Sequence, residues 1–491
     1  MKRTLISLIP ILVLVALLAF DISIFGSDSI LGASQVALLA SAGICVWLAM
    51  WRFKTPWKFF EEALRKNVGE VAVAIVILFL IGAISGTWTM SGVIPTLIYY
   101  GVQIISPKFF LVTACAICGV ISVMIGSSWT TIATIGVALL GIGKAEGFSD
   151  AVIAGAIISG AYFGDKMSPL SDTTVMASSV SGTPLFEHIR YMMFTTVPSI
   201  VITLIIFTIL GFTHSGEAAH MNVYTDTLRA HFRISPWLLL VPAFTVFMIL
   251  RKMPALIVLG LSVLVATAFA IIAQPDIILG IGERAALTYD VARDLPRWQL
   301  LLAGSVETIY NSVSIDTGVA EVNELVAARG MTGMLNTVYL IICAMCFGAC
   351  MRASGMIANL ARPLRRLTRR RTALVATTVT TGTALNAVVC DQYLSIILTS
   401  NIYRDIYEKE GYENRLLSRS IEDSATVTSP LVPWSSCGMT QATILNTSTL
   451  AYLPYCFFNI ISPLMSMLIA GLGYKIFRRE IPGEEAANVS K

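Results

Sequence analysis

The sequence predicts an all-α polytopic membrane protein made of two inverted-topology repeats with broken helices. Three observations predict it. Of 491 residues, 56% are hydrophobic and only 13% charged, against about 25% charged in soluble domains. Apolar runs long enough to cross a bilayer follow one another along the chain. A polar motif in the first half returns in the second, and the loops around the two copies carry opposite charge bias.

A spanning helix needs about 20 largely apolar residues. Such runs occur at 4–25, 30–51, 70–100, 108–127, 189–213, 237–250, 254–274, 334–354, 373–389 and 448–477. Segments 129–143, 150–164, 391–404 and 416–436 are shorter or interrupted by polar residues. They must lie within the protein or line a cavity, because lipid satisfies no polar group. The first run, MKRTLISLIPILVLVALLAF, begins like a signal peptide, but no small-residue cleavage site follows. It reads as a first transmembrane helix.

Basic residues orient the spans. Lys2 and Arg3 precede the first span, and Arg52, Lys54, Lys58, Arg65 and Lys66 follow the second. The link between them, FGSDSI, has none. Both termini are therefore expected in the cytoplasm. Arg251 and Lys252 belong on that side, with Arg362, Arg365, Arg366, Arg369, Arg370 and Arg371, then Lys475, Arg478 and Arg479. The mixed-charge stretches 214–235 and 275–298 are expected outside, carrying interfacial helices. The net charge of +4 is small and gives no reason to expect nucleic acid.

SPLSDTT at 168–174 precedes SPLVPWS at 429–435 by 261 residues. At that offset Trp129-Thr130-Thr131 falls on Cys390-Asp391-Gln392, and at 263 Ser91-Gly92 falls on Ser354-Gly355. The chain divides near residue 236 into a first repeat (1–235), a second (236–480) and a cytoplasmic tail (481–491). Loop 26–29 has no basic residue where its counterpart has Arg251-Lys252. The loop after the third span has only Lys108, where its counterpart has the arginines at 362–371. Equivalent loops of opposite bias mean opposite topology. Inverted repeats meeting at a midplane site are common among secondary transporters.

GDKMSPLSDTT (164–174) carries the chemistry of the first repeat. Its Gly and Pro interrupt an apolar run and free backbone groups, which at helix ends can coordinate Na+. Asp165, Ser168, Ser171, Asp172, Thr173 and Thr174 add the oxygen ligands that hard cations need. Lys166 is the expected charge partner for the buried carboxylate. The plainer reading puts Asp165 and Lys166 at the interface, with the aspartates capping helices. In the second repeat Asn386, Asp391 and Gln392 interrupt an apolar run, followed by Glu422, Asp423, Thr426, Thr428 and Ser429. Glu422 and Asp423 would otherwise cap a solvated first turn. Carboxylates outnumber intramembrane cations, which favours cationic cargo. Na+ is assigned to Asp172, Thr173 and Asp391, with Asp172 and Asp391 facing each other at the midplane.

Arg352, in CFGACMRASGM, reads either as an anchor for a substrate carboxylate by bidentate pairing or as an ion-pair partner for a motif aspartate. His214, His220 and His231 read as solvated loop residues. Cys115/Cys118 and Cys343/Cys346/Cys350 have helical spacing in apolar surroundings and read as packing residues. There is no GxxxxGK[ST] phosphate loop, nucleophile–base pair or cofactor motif, so neither ATP coupling in this chain, nor an enzyme, nor a cofactor is expected. A channel would need no buried titratable pairs.

GAYFGDKMSPLSDTT, with DQYLS, IEDSATVTSPLVPW and the earlier SIDTGVAEV, resembles the NhaC family of Na+/H+ antiporters over roughly residues 30–475. The resemblance implies a bacterial or archaeal plasma-membrane carrier with the wider ion-transporter fold, each repeat having a re-entrant hairpin and a broken helix. It implies exchange of Na+ for H+ by alternating access, both ions being transported. For some members it implies exchange of carboxylates such as malate and lactate, or of basic amino acids. Two positions depart from the family pattern: Val175 and Ser435, nearly equivalent across the repeat, stand where Asn is usual. The expected function is Na+/H+ antiport; the alternative is Na+- or H+-coupled exchange of small carboxylates or amino acids. Homodimerisation is left open.

Overall fold

The computed structural model describes residues 2–478 apart from 26–31, 71, 214–217, 252, 289–294, 329 and 365–370. Most of the FGSDSI link, His214, Lys252, Arg365 to Arg370, Arg479 and the tail 481–491 therefore lie outside the described residues, as do the side chains of His220 and Arg362. Among the described residues the chain is helical. Its only strand-like pairings are the isolated bridges Val313–Ala328 and Tyr412–Arg478. Eight helices are long and apolar enough to cross a membrane, or eleven if each of three bent pairs is one span. A helix satisfies its own backbone, which is what lipid requires.

The helix Leu185–Thr213 shows how side chains divide between lipid and core. Thr195, Ser199, Thr203 and Phe207, four residues apart, are fully buried, whereas Val197, Val201, Ile205 and Ile209 are exposed. The inward hydroxyls return to their own helix: Ser199 Oγ donates to Thr195 O at 2.7 Å and Thr203 Oγ1 to Ser199 O at 2.8 Å. Here the polar stripe faces protein and the apolar stripe faces outward, the reverse of a soluble helix.

Small residues allow a close crossing. The helices Pro107–Ile125 and Asp150–Met167 approach until a Cβ on Gly160 would lie 2.1 Å from Cys115 O, and one on Gly164 2.2 Å from Gly119 O. Ser122 Oγ donates across the crossing to Ala161 O at 2.6 Å. Glycines four apart allow backbones to meet in this way. Gly160→Val is expected to force the helices apart and to cost about 1–3 kcal/mol. Thermal unfolding in detergent checks this; an unshifted midpoint would show that the crossing tolerates a side chain.

Four breaks position the site. The chain turns at Gly126 (φ +73°) and restarts at Ser127, whose Oγ accepts from Thr130 N–H at 3.2 Å. It breaks after Ser168 and restarts at Ser171, which caps Thr174 N–H. In the second half it turns at Cys390 (φ +62°) and restarts at Asp391, whose carboxylate accepts from Leu394 N–H at 2.9 Å. The last break, after a π-helical turn at Glu422–Thr426, restarts at Ser435, which caps Gly438 N–H at 3.0 Å. Short polar side chains at a helix start satisfy orphan backbone donors.

These caps share one spacing along the chain. Gly126 and Cys390, Ser127 and Asp391, and Ser171 and Ser435 are all 264 residues apart. The SPL motifs differ by 261 because the second copy inserts Val432-Pro433-Trp434 between SPL and the capping serine. Ser435 shares its capping role and the 264-residue spacing with Ser171, while Val175 lies exposed on the helix Asp172–Ser181. The bend at Ser91-Gly92 keeps its 263-residue echo, with Gly92 (φ +82°) and Gly355 (φ +68°) both in the left-handed region. That bend turns the run 70–100 through 70°, and a 57° bend divides the run 448–477.

Candidate functional site

Three of the four restarted helices begin at one cavity of about 540 Å³. Ser127–Thr130 come from the first turn, Asp165 and Leu170–Thr173 from the broken helix, and Gln392 and Tyr393 from the second-half hairpin. Val73, Ile77, Met253, Pro254, Ala255 and Val258 complete the cavity's apolar lining. Among the described lining residues there are two carboxylates and no lysine or arginine.

Asp165 is buried on the wall and accepts from Ser128 Oγ at 2.7 Å. Asp172, at the first turn of its helix, is exposed at the cavity. Its carboxylate sits at a helix N-terminus, the end that favours negative charge. Ser171 and Thr173 are buried, their hydroxyls 2.9 Å apart. Ser168 is buried too, and its Oγ accepts from Leu170 N–H at 3.1 Å. Gln392 Oε1 accepts from Ser429 Oγ at 3.2 Å, so the second half reaches the same wall. Asp391 lies behind it, capping its helix, with Ser436 Oγ at 3.5 Å.

Lys166 does not partner Asp165. Its ammonium donates to Asp423 Oδ1 and, at 2.9 Å, to Ser462 Oγ, and both ends of the ion pair are fully buried. Ser462 Oγ and Thr195 Oγ1 also donate to Asp423 Oδ1, at 3.0 and 3.2 Å. Lys166 Nζ lies 5.7 Å from the Phe458 ring centroid. Successive helical residues are rotated by about 100°. Asp165 therefore faces the first-half turn while Lys166 crosses to the second half.

Arg352 is also elsewhere. Half-buried at the end of the helix Leu335–Ala353, it donates to Asn67 Oδ1, and Asn67 Nδ2 donates to Met345 O at 3.3 Å. It fastens the amphipathic helix Trp57–Glu70 and meets neither a motif aspartate nor the cavity. Asn386 Nδ2 holds the fourth break through Ala425 O (2.8 Å) and Thr428 Oγ1 (3.0 Å). In the SIDTGVAEV segment, Asp316 Oδ1 accepts from Gly318 N–H and Asn323 Nδ2, both at 3.0 Å. These donors hold its carboxyl below the usual range. The residue works as a turn former in an exposed loop.

Glu422 is fully buried, and among the described residues no donor meets either carboxylate oxygen in good hydrogen-bond geometry, the Thr426 hydroxyl one turn on being its neighbour. Arg419 and His188, which the sequence did not single out, are fully buried nearby. His188 Nδ1 is 2.9 Å from Ser418 Oγ. The Arg419 guanidinium stacks 4.6 Å from the Tyr191 ring centroid, and none of its nitrogens has an acceptor among the described residues. Ser128 was missed as well; its signal was the polar run GSSWTT at the first turn.

A second cavity, of about 350 Å³, lies near the far end of the same helix, where Lys144 Nζ meets Asp150 at 2.8 Å beside Thr443 and Asn446. Asp150 and Asp165 are separated by about 22 Å of helix at 1.5 Å per residue. Tyr162, Gln441 and Cys437 are buried along this stretch, with Gln441 Nε2 donating to Tyr162 Oη at 3.4 Å. Buried side chains thus lie between the two cavities.

The model of the Na+/H+ antiporter family matches residues 160–474, from the crossing glycine to the end of the last helix. The chain is 35% identical to the Na(+)/H(+) antiporter NhaC of Alkalihalophilus pseudofirmus, over 86% of this chain and 87% of that protein. The chain belongs to the Na+/H+ antiporter family. Membership makes it a multi-pass membrane transporter. It is also 33% identical to the Malate-2H(+)/Na(+)-lactate antiporter of Bacillus subtilis, over 87% of each chain. With the arginine/ornithine antiporter ArcD of Halobacterium salinarum it shares 30% identity over 98% of this chain and 95% of that one. Three of the four breaks, the Lys166–Asp423 pair and the part of the cavity wall from Asp165 onward lie within the matched range; the first turn and the lining residues before it do not.

Proposed function

We propose that this member of the Na+/H+ antiporter family exchanges Na+ for H+ across a bacterial or archaeal plasma membrane by alternating access. One observation carries the reading. A cavity walled by carboxylate, hydroxyl and amide oxygens reaches Asp165, and the buried Tyr162, Gln441 and Cys437 lie between it and the cavity near Asp150. Hard cations take oxygen ligands, and an interrupted path is what a carrier needs and a channel lacks. The wall at Met253–Ala255 lies two residues from Arg251, so from the positive-inside rule we infer that the cavity lies toward the cytoplasm. The common 264-residue spacing of breaks and caps supports two repeats, and the reversed loop charge supports their inversion. Asp165, Asp172, Thr173 and Gln392 are the residues we assign to cargo, with Ser128 and Ser171 placing them. Asp391 acts through its helix cap.

The test uses purified protein in liposomes with an internal pH dye. Na+ added outside should alkalinise the lumen, and no response at any pH would sink the reading. Asp172→Asn, at the open end of the cavity, should raise the Na+ concentration for half-maximal response by about tenfold, one contact of 1.4 kcal/mol. An unchanged Na+ dependence would remove Asp172 from the site.

The cavity volume favours a second reading. About 540 Å³ exceeds what a metal ion occupies and falls in the range of small-molecule sites. Its described wall has two carboxylates and no cation, which suits an amine-bearing amino acid better than malate or lactate. Labelled solute exchange in the same liposomes separates these cargoes.

A further inference from the structure

The chain buries two cations and two carboxylates beside its last break, and only one pair is closed. Lys166 and Asp423 are bonded to each other and to Ser462. Among the described residues Arg419 and Glu422 are both fully buried and form no ion pair, although Arg419 lies in the last turn of the helix Asn414–Ile421 and Glu422 opens the π turn that continues it. An ionised carboxylate buried without a donor costs several kcal/mol, and a neutral carboxylic acid far less. Glu422 with a proton fits the arrangement; Glu422 without one needs a partner. The Lys166 ammonium is already engaged, whereas Arg419 has every guanidinium nitrogen free of acceptors.

We propose that Glu422 carries the proton that is exchanged, and that Arg419 receives its carboxylate when the proton leaves. The inference rests on the antiport reading. The proton passes from the Glu422 carboxyl to Asp165, the carboxylate on the cavity wall, and from there to water. Deprotonation draws the guanidinium off Tyr191. The movement falls where the helix changes to a π turn at Glu422–Thr426, just before the break. Such turns are often functional hinges.

Other groups around Glu422 do not take this role. The helix Asp150–Met167 offers Asp165 and Lys166, one on the cavity and one in the closed pair. The helix Leu185–Thr213 offers His188, bonded to Ser418, and Tyr191, under the guanidinium. The helix Gln392–Lys409 offers Tyr403 and Tyr407, hydrogen-bonded to Thr381 and Thr378. The helix Asp172–Ser181 offers only Asp172, exposed at the cavity. Asp423, the neighbour on the same turn, is the closed partner of Lys166.

The test measures two fluxes in liposomes between about pH 5.5 and 9.5: labelled Na+ against unlabelled Na+, and Na+-driven proton movement. Glu422→Gln is expected to retain Na+/Na+ exchange, to lose its pH dependence, and to lose proton movement by at least about tenfold. Coupled proton movement at wild-type rate in Glu422→Gln overturns the proposal, and so does loss of both fluxes in a folded protein. Absence of Na+ flux in the wild type would fail the antiport reading instead. If Glu422→Gln does not fold, Arg419→Gln carries the test. Its pH of half-maximal exchange should rise by about 1 unit, and Arg419→Lys should restore it. An unmoved profile overturns the proposal.

Discussion

Asp165→Asn is expected to abolish Na+-driven proton movement in proteoliposomes. The substitution keeps the shape of the side chain, and the amide oxygen can still accept from Ser128 Oγ, now 2.7 Å from the carboxylate. What it removes is the negative charge on a wall with no other buried carboxylate among its described residues. A charge-assisted contact of about 2.8 kcal/mol corresponds to roughly 100-fold in cation affinity. The loss should exceed that of Asp172→Asn, because Asp172 is exposed and water shares its work. Folding, read as thermal unfolding in detergent, should be little changed. Wild-type exchange in Asp165→Asn would move the cation site away from this cavity.

Lys166→Met is expected to lower stability by about 3–5 kcal/mol, the usual cost of leaving a buried carboxylate without its cation. Asp423 would keep Thr195 and Ser462 as donors, so the loss falls on the charge and on the bonds that Lys166 itself donates. Adding Asp423→Asn should recover most of it, since Asn accepts from both hydroxyls and carries no charge. Thermal unfolding of the two variants measures the difference. A single variant as stable as the wild type would mean that the pair is open to water. Because Lys166 and Asp423 are 257 residues apart, one in each half, the same substitution should loosen the contact between the halves.

Much of this was legible locally. The polar interruptions at GDKMSPLSDTT, CDQ and SPLVPWS are where the helices break, since Gly, Pro and short polar residues both end helices and cap new ones. The SPL echo was legible, but the spacing of the caps was not. Only the capping geometry of Ser127, Ser171, Asp391 and Ser435 shows that three residues are inserted after the second SPL. Arg352 misled because an arginine in an apolar run suggests a ligand, whereas it reaches a surface helix through Asn67. Arg419 escaped notice because SRS sits at the edge of its polar segment, and burial there comes from packing against Tyr191 and other helices.

The sequence by itself determined a polytopic helical membrane protein of the Na+/H+ antiporter kind, and the residues at which its helices would break. Those properties depend on runs of about 20 residues and on short motifs, so neighbours along the chain suffice to read them. Only the tertiary structure decided which carboxylate meets the cavity, which meets a cation and which meets neither. Asp165 and Lys166 are adjacent in sequence and diverge because a helix turns about 100° per residue. Glu422 and Asp423 diverge in the same way, one alone and one paired. The partner of a buried charge is chosen by whichever helix packs opposite, and that lies hundreds of residues away.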